Sequence, residues 1–593
     1  MMVTFKKLLM LFNKREKNKL LILLFMMVIS ALLETLGIGL IVPLVSIITN
    51  PDIIREQPII AQIYELFKFQ STTSFMIFSV VVLLLVFVLK NFYILLYQYT
   101  QNRLILNQQV KLSERLFNEY LTKPYSFHLQ RNTSELLRNV NREIPKVLQG
   151  IMMSGFQLIT EGLVVLCILS LLLVTATTAT ITSSILLGGG VFLFFKVFRK
   201  KMIALGKEQQ IASGMMIKWI NQGLGASKEI KVSGKEKFFV NAYTKQSQIS
   251  ANNSRYIMML EQTPRLFIET LLVAIVLITM LIIIFQDKNT TTQIVSTMAL
   301  FAMAAFRLMP SINRIMAMIT TIRYSQPALS VIYDDLFENK QELSNINPNP
   351  DITIVSNKTK KAFNDSIRLS DVSFRYPNQS ECSVKDISLT IPIGSSVAFI
   401  GESGAGKTTL VDIILGLFKP EKGSVLIDGR NLYDQQTLWQ QKIGYIPQSI
   451  FLSDDTIRSN VAFGSDIELI DDKEVLRALE QAQLKEFVEE LPDKLETSIG
   501  ERGVRLSGGQ RQRIGIARAL YHNPEIIFMD EATSALDNET EKEIMNSIYS
   551  LKGEKTLIII AHRLTTIENC DIVFKINKGK LVAIDNRIGR SAM

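Results

Sequence analysis

Apolar residues fall into two different patterns along this chain. Up to about residue 330 they form long runs of about 20 residues or more, the length needed to cross a bilayer. These cover Leu20–Ile48, Phe75–Tyr99, Ile151–Val174, Thr180–Phe198, Leu266–Phe285 and Ile294–Ile322. Beyond residue 365 the apolar runs are short and alternate with helical spacing, the pattern of a soluble α/β domain. The fold class expected is therefore a multi-domain membrane protein: a six-helix α transmembrane domain over 1–330, a polar linker over 331–364, and an α/β domain over 365–593. Between the first two runs, Ile59, Ile60, Ile63, Tyr64, Leu66 and Phe67 sit at helical spacing and predict a short amphipathic helix on the outer membrane surface.

Charge orients this arrangement. The net charge of +10 comes largely from Met1–Lys19 and from two polar stretches, Gln101–Gly150 and Arg199–Arg265, read as loops. Basic residues between apolar runs mark the cytoplasmic side, so this excess reads as a topology signal and not as a nucleic-acid surface. The N-terminus and the C-terminal domain are both expected in the cytoplasm. The first apolar run is too long for a signal peptide and has no small-residue cleavage pattern, so it reads as an uncleaved span. Three cysteines without paired spacing, Cys167, Cys382 and Cys570, give neither a disulfide framework nor a zinc site.

The chemistry begins where the apolar stretch Val397–Ile400 meets the helical stretch Leu410–Leu417. Between them lie Gly401, Glu402, Ser403, Gly404, Ala405, Gly406, Lys407, Thr408 and Thr409, a G-x-x-x-x-G-K-T loop in strand-to-helix context. Its glycines let backbone N–H groups and the positive helix end face phosphate oxygens. Lys407 adds a charge for the β and γ phosphates, and Thr408 a hydroxyl for Mg²⁺. About 120 residues on, a strand ends in Asp530 and Glu531. The first acid can hold Mg²⁺ and the second can orient or deprotonate water. Strand alternation would point them to opposite faces.

Leu506–Gln510 reads LSGGQ ahead of a helical stretch, a second anion-facing helix start formed by Ser507, Gly508, Gly509 and Gln510. With this pentapeptide the C-terminal domain resembles the nucleotide-binding cassette of ATP-binding-cassette (ABC) transporters, and the whole layout resembles their half-size exporters. The resemblance implies that Tyr376 of FRYP stacks on adenine and that Gln448 of YIPQ senses Mg²⁺ and the membrane domain. It likewise implies that Asp537 of SALD crosses to a partner and that His562 of IIIAHR contacts the γ-phosphate. TSIGERG, Thr497–Gly503, is similar to the exporter-specific segment before the signature. In that family Ser507 completes the ATP site of the opposite subunit, which implies a dimer, here a homodimer or a pair with a related half. Coupling helices are implied near Pro124–His128 and Gln222–Lys228.

The cargo has to be read from charges inside the apolar runs, where they are costly and commonly functional or paired. Lys90 and Arg307 lie about 20–25 Å, and Arg265 and Arg314 about 30 Å, from the outer ends of their spans at the helical rise. Together they make a basic layer near the inner leaflet. Glu34, Glu161 and Glu269 lie in the same runs, so ion pairing is the competing reading. TPRLFIE, FRLMPSINRI and PYSFHLQRNTSELLRN resemble segments of bacterial lipid-linked-oligosaccharide flippases. That implies a polyprenyl-pyrophosphate-linked glycan moved across the bacterial inner membrane, with the four cations on the pyrophosphate. An exporter of a peptide or hydrophobic drug is the alternative cargo reading. A soluble regulatory or nucleic-acid ATPase is opposed by the six apolar runs.

Overall fold

In the computed structural model of the chain, the described residues are 2–40, 47, 58–67, 69, 71–175, 177–285, 291–338, 363–377, 379–531, 538–561 and 567–587. Asp537 and His562 lie outside them, as does the side chain of Arg307 within its helix. The chain folds into two compact units: Met1–Lys123 with Arg131–Pro350, and Pro124–Gln130 with Asp351–Met593.

The first unit is helical. Its main helices are Lys14–Gly39, Thr72–Thr122, Ser154–Thr175, Thr177–Gly225, Glu236–Phe285 and Thr291–Tyr333. Among the described residues, Thr72–Thr122 and the helical run Thr133–Ser170 are long and apolar enough to cross a membrane. Three of the helices run far past the apolar stretches. Thr72–Thr122 has 51 residues, about 76 Å at the helical rise. The stretches expected as loops, Gln101–Gly150 and Arg199–Arg265, are therefore largely helix. The physical reason is a stripe of apolar and amide side chains on an otherwise polar helix. Tyr97, Gln101, Ile105, Gln108, Leu112, Leu116 and Tyr120 recur every three or four residues and are all buried.

A buried polar cluster joins these extensions. The Tyr120 hydroxyl donates to Asp335 Oδ2 at 2.5 Å, and Asn139 Nδ2 donates to both, at 3.0 Å each. Arg138 donates to Asn139 Oδ1 at 2.9 Å and to the Gln210 carbonyl at 3.2 Å. These bonds hold together segments far apart in sequence, and each satisfies a group that would be costly to bury alone. A helix also forms at Pro58–Leu66, where the amphipathic spacing predicts one. Its Tyr64 ring lies 5.4 Å from Phe75 in an edge-on contact.

The second unit is built on two sheets. Antiparallel strands β1 (Ser366–Phe374), β2 (Val384–Pro392), β4 (Lys422–Ile427) and β5 (Arg430–Asn431) stand in the order β2-β1-β4-β5. The other sheet holds β3 (Ser396–Ile400), β6 (Ile443–Ile446), β7 (Ile526–Asp530), β8 (Thr556–Ile560), β9 (Ile572–Asn577) and β10 (Lys580–Asn586), in the order β10-β9-β3-β8-β7-β6. Strands β6, β7, β8, β3 and β9 are parallel. Their residues are apolar on both faces, as a sheet covered on both sides requires. Phe399, Phe528, Ile558 and Trp439 belong to one core, and Ala398, Met529, Ile559 and Ile514 to the other.

Candidate functional site

Strand β3 runs into the phosphate loop, and the helix Lys407–Ile414 leaves it. Gly406 caps that helix with φ +100°, and a Cβ there would lie 2.5 Å from the Ser383 carbonyl oxygen. Gly401 is equally constrained, since a Cβ would lie 2.1 Å from the Ile576 carbonyl oxygen. Both positions therefore need glycine on steric grounds. Lys407 is buried, and its Nζ donates to the carbonyls of Gly401 at 2.8 Å and Glu402 at 3.0 Å. Burial lowers its pKa, while the charges of Glu531 and Asp530 act the other way. The lysine bridges its own loop, where its donors can pass to a phosphate.

Asp530 ends β7 and is buried, and Glu531 follows at φ +47°. That left-handed conformation is rare and strained for a non-glycine residue, a type of strain that clusters at functional sites. It also ends the strand alternation expected of the acid pair. Glu531 accepts a hydrogen bond from Gln448 Nε2 at 2.7 Å, which joins two residues 83 positions apart. Thr408, Gln448 and Asp530 offer a hydroxyl, an amide oxygen and a carboxylate, the hard oxygen donors that suit Mg²⁺. Because Nε2 of Gln448 is engaged by Glu531, Oε1 is its atom for a cation. Asp412, one turn into the helix, carries no motif that marks it in the sequence. Burial, and then the charge of Asp530, push its carboxyl up to about 7.

Tyr376 stands beside the loop helix, its hydroxyl 3.0 Å from Thr409 Oγ1. Its ring is edge-on to Phe374 at 5.2 Å and to Phe418 at 5.4 Å. Phe418 also packs 5.7 Å from Tyr125, which belongs to the short helix Tyr125–Gln130 of this unit. Ser507 caps the helix Gly508–Tyr521 through a reciprocal capping box. Its Oγ accepts from Gln510 N at 3.2 Å, and Gln510 Oε1 accepts from Ser507 N at 2.8 Å. This pair secures the helix start and presents the backbone of Gly508 and Gly509 at its positive end.

In the helical unit, Arg314 makes a two-point ion pair with Glu161: Nε donates to Oε1 at 2.5 Å and Nη2 to Oε2 at 3.0 Å. Nη2 also reaches Ser311 Oγ at 3.3 Å. For Arg314 the pairing alternative is thus realised. The ammonium of Lys90 lies 4.5 Å from the centre of the Phe87 ring, and Arg265 is exposed. A short helix, Ser227–Ser233, begins within the Gln222–Lys228 stretch.

A strand-loop-helix phosphate cradle, an acid pair at a strand end and a glycine-rich second helix start, following a helical membrane unit in the chain, define a membrane-embedded nucleotide hydrolase. Residues 384–534 match the ABC transporter family, and residues 20–309 match the ABC transporter transmembrane region. The chain belongs to the ABC transporter family, as a half-size exporter that binds ATP and couples its hydrolysis to transport. Among particular relatives, the ATP-dependent lipid A-core flippase of Saccharophagus degradans is 32% identical over 493 residues, 81% of this chain and 79% of that protein. The ATP-dependent lipid A-core flippase of Ralstonia nicotianae is 32% identical over 487 residues, again 81% and 79%. A solved bacterial Atm1-family ABC exporter with ATP bound shares the fold, with TM-score 0.76 over 97% of this chain and 96% of that one, at 21% identity.

Proposed function

We propose that this exporter is a lipid flippase, moving an amphipathic anionic lipid from the inner to the outer leaflet of a bacterial inner membrane. The names of its relatives, both flippases of lipid A-core, are the observation that supports a lipid cargo. The finer cargo supported by the basic residues is a polyprenyl-pyrophosphate-linked oligosaccharide, whose diphosphate suits guanidinium forks. Lys90, Arg265 and Arg307 would contribute to meeting the headgroup. Arg314 is held by Glu161 and would join once that pair opens.

ATP would sit on Gly401–Thr409 with Tyr376 against its adenine, while Thr408, Gln448 and Asp530 would hold Mg²⁺, which when bound offsets phosphate charge. Glu531 would serve as the base for water, and His562 would act on the γ-phosphate. Ser507 to Gln510 and Asp537 act on the ATP of a second subunit, which makes a homodimer with two complete sites. ATP then binds the closed pair better than the open one, and this difference drives alternating access.

The test is flipping of fluorescent lipids in proteoliposomes, with a lipid-linked oligosaccharide and a lipid A-core supplied separately. ATP-dependent loss of the oligosaccharide lipid from one leaflet, reduced in Arg307→Ala and Lys90→Ala, supports the finer reading. Transport of the lipid A-core alone replaces it by the cargo of the relatives. Transport of neither, with stimulation of the ATPase by a peptide or drug, would overturn the lipid reading.

A further inference from the structure

A cleft of about 500 Å³ lies where Lys14–Gly39 and Thr72–Thr122 come together. Its walls carry the polar side chains Lys19, Arg103, Asn107, Gln108 and Lys111 on an apolar floor to which Leu104 and Val110 contribute. Two contacts fix the antiparallel register of these helices. The Tyr93 hydroxyl donates to the Met26 carbonyl at 3.2 Å, and Lys111 pairs with Glu16 at 3.3 Å. Lys19 therefore enters from one helix opposite the Arg103–Lys111 face of the other. Glu16 offsets one cation, and Lys19 and Arg103 leave the cleft positive beside the amides of Asn107 and Gln108, while the Thr100 hydroxyl is spent on the Leu96 carbonyl at 2.8 Å.

Its depth identifies what it meets. Lys19 is the last residue before the first apolar run, and Thr100 follows directly on the second. The cleft thus occupies the first polar turns beyond both spans, at headgroup level. Toward the bilayer, the same helices expose Leu21, Leu24 and Phe25, and Leu95, Leu96 and Tyr99. Cationic and polar donors below an exposed apolar surface are the two halves of a phospholipid site.

We propose that this cleft binds the phosphate of an anionic membrane phospholipid, such as phosphatidylglycerol, as a resident ligand whose acyl chains lie along the exposed leucines. The site is separate from Lys90, Arg265, Arg307 and Arg314 and does not depend on the identity of the cargo. It shares with the proposed function only the orientation that puts this end of the spans at the inner leaflet. The side chains act by charge and hydrogen bonding, with no chemical step.

Native mass spectrometry of the full-length protein, equilibrated with equal phosphatidylglycerol and phosphatidylcholine, reads the occupancy directly. Wild type should retain phosphatidylglycerol preferentially. Lys19→Ala/Arg103→Ala should reduce that preference roughly 30-fold, from the contribution of two basic residues near a membrane surface. Lys237→Ala/Lys245→Ala, which removes two exposed lysines elsewhere, should leave it unchanged, and matching thermal stability shows that all variants are folded. Equal retention in the cleft variant overturns the proposal. Displacement of the lipid by millimolar glycerol phosphate also overturns it, by showing a site for a soluble anion. A flipping assay with any cargo is not part of this readout, so failure of the lipid-flippase reading leaves the result standing.

Discussion

The amide of Gln448 donates to the carboxylate of Glu531 at 2.7 Å, tying the loop after β6 to the end of β7. Glu531 is already held at φ +47°, so this bond fixes the direction of a strained side chain. Glu531→Gln is expected to keep ATP affinity and to lower hydrolysis by about 10²- to 10⁴-fold, the contribution of a positioned base. Gln448→Ala should lower hydrolysis less, since the base survives and only its aim is lost. Filter binding and phosphate release measure the two effects. A Glu531→Gln protein that hydrolyses at the native rate would remove Glu531 from the mechanism.

Tyr120, Asn139 and Asp335 share one buried knot of hydrogen bonds. Tyr120→Phe keeps the ring and strips one donor from a buried carboxylate, at an expected cost of about 1–3 kcal/mol. Chemical denaturation in detergent, followed by cysteine accessibility or circular dichroism, reads the loss. No change would mean that water replaces the hydroxyl without cost.

Asp412 carries a pH signature. Its pKa rises from an ordinary 3.8 to about 7, first through burial and then through Asp530. Below about pH 4 the carboxyl is neutral in both folded and unfolded chains, and its contribution to stability is whole. As pH rises toward 7 the unfolded chain ionises first, so stability is progressively lost, and above 7 the loss is complete. Nucleotide-free Asp412→Asn should therefore gain thermal stability over wild type as pH rises from 4 to 8. A difference that does not vary with pH would contradict this.

Arg314 and Glu161 meet through two hydrogen bonds, with the glutamate side chain 14% exposed and the arginine 45%. Solvent screening at the arginine limits the pair. A double-mutant cycle of Arg314→Ala and Glu161→Ala should give a coupling of about 1 kcal/mol. Additive effects would show that the two side chains do not pair in the folded protein.

The motor is legible in the sequence because its chemistry is local. Gly401–Thr409 and Ser507–Gln510 each carry their donors within one loop and one helix start. The helical extensions are harder to see, because Asn107, Gln109, Lys111, Glu114 and Arg115 between Ile105, Leu112 and Leu116 hide a stripe that emerges only at a spacing of three to four residues. Pairings such as Arg314 with Glu161, 153 positions apart, or Tyr120 with Asp335, 215 apart, depend on how helices pack, and no local pattern encodes them. Asp412 escapes notice for a related reason. It looks like an ordinary helix acid until the fold brings Asp530 beside it.

ATP-dependent lipid movement in proteoliposomes, compared between wild type and Lys407→Ala, tests the central claim most directly. Wild type should deplete an anionic glycolipid from the leaflet on the ATP side, and Lys407→Ala, deprived of the buried ammonium in the phosphate loop, should leave it there. Equal movement in both proteins, or movement without ATP, would contradict an ATP-driven flippase.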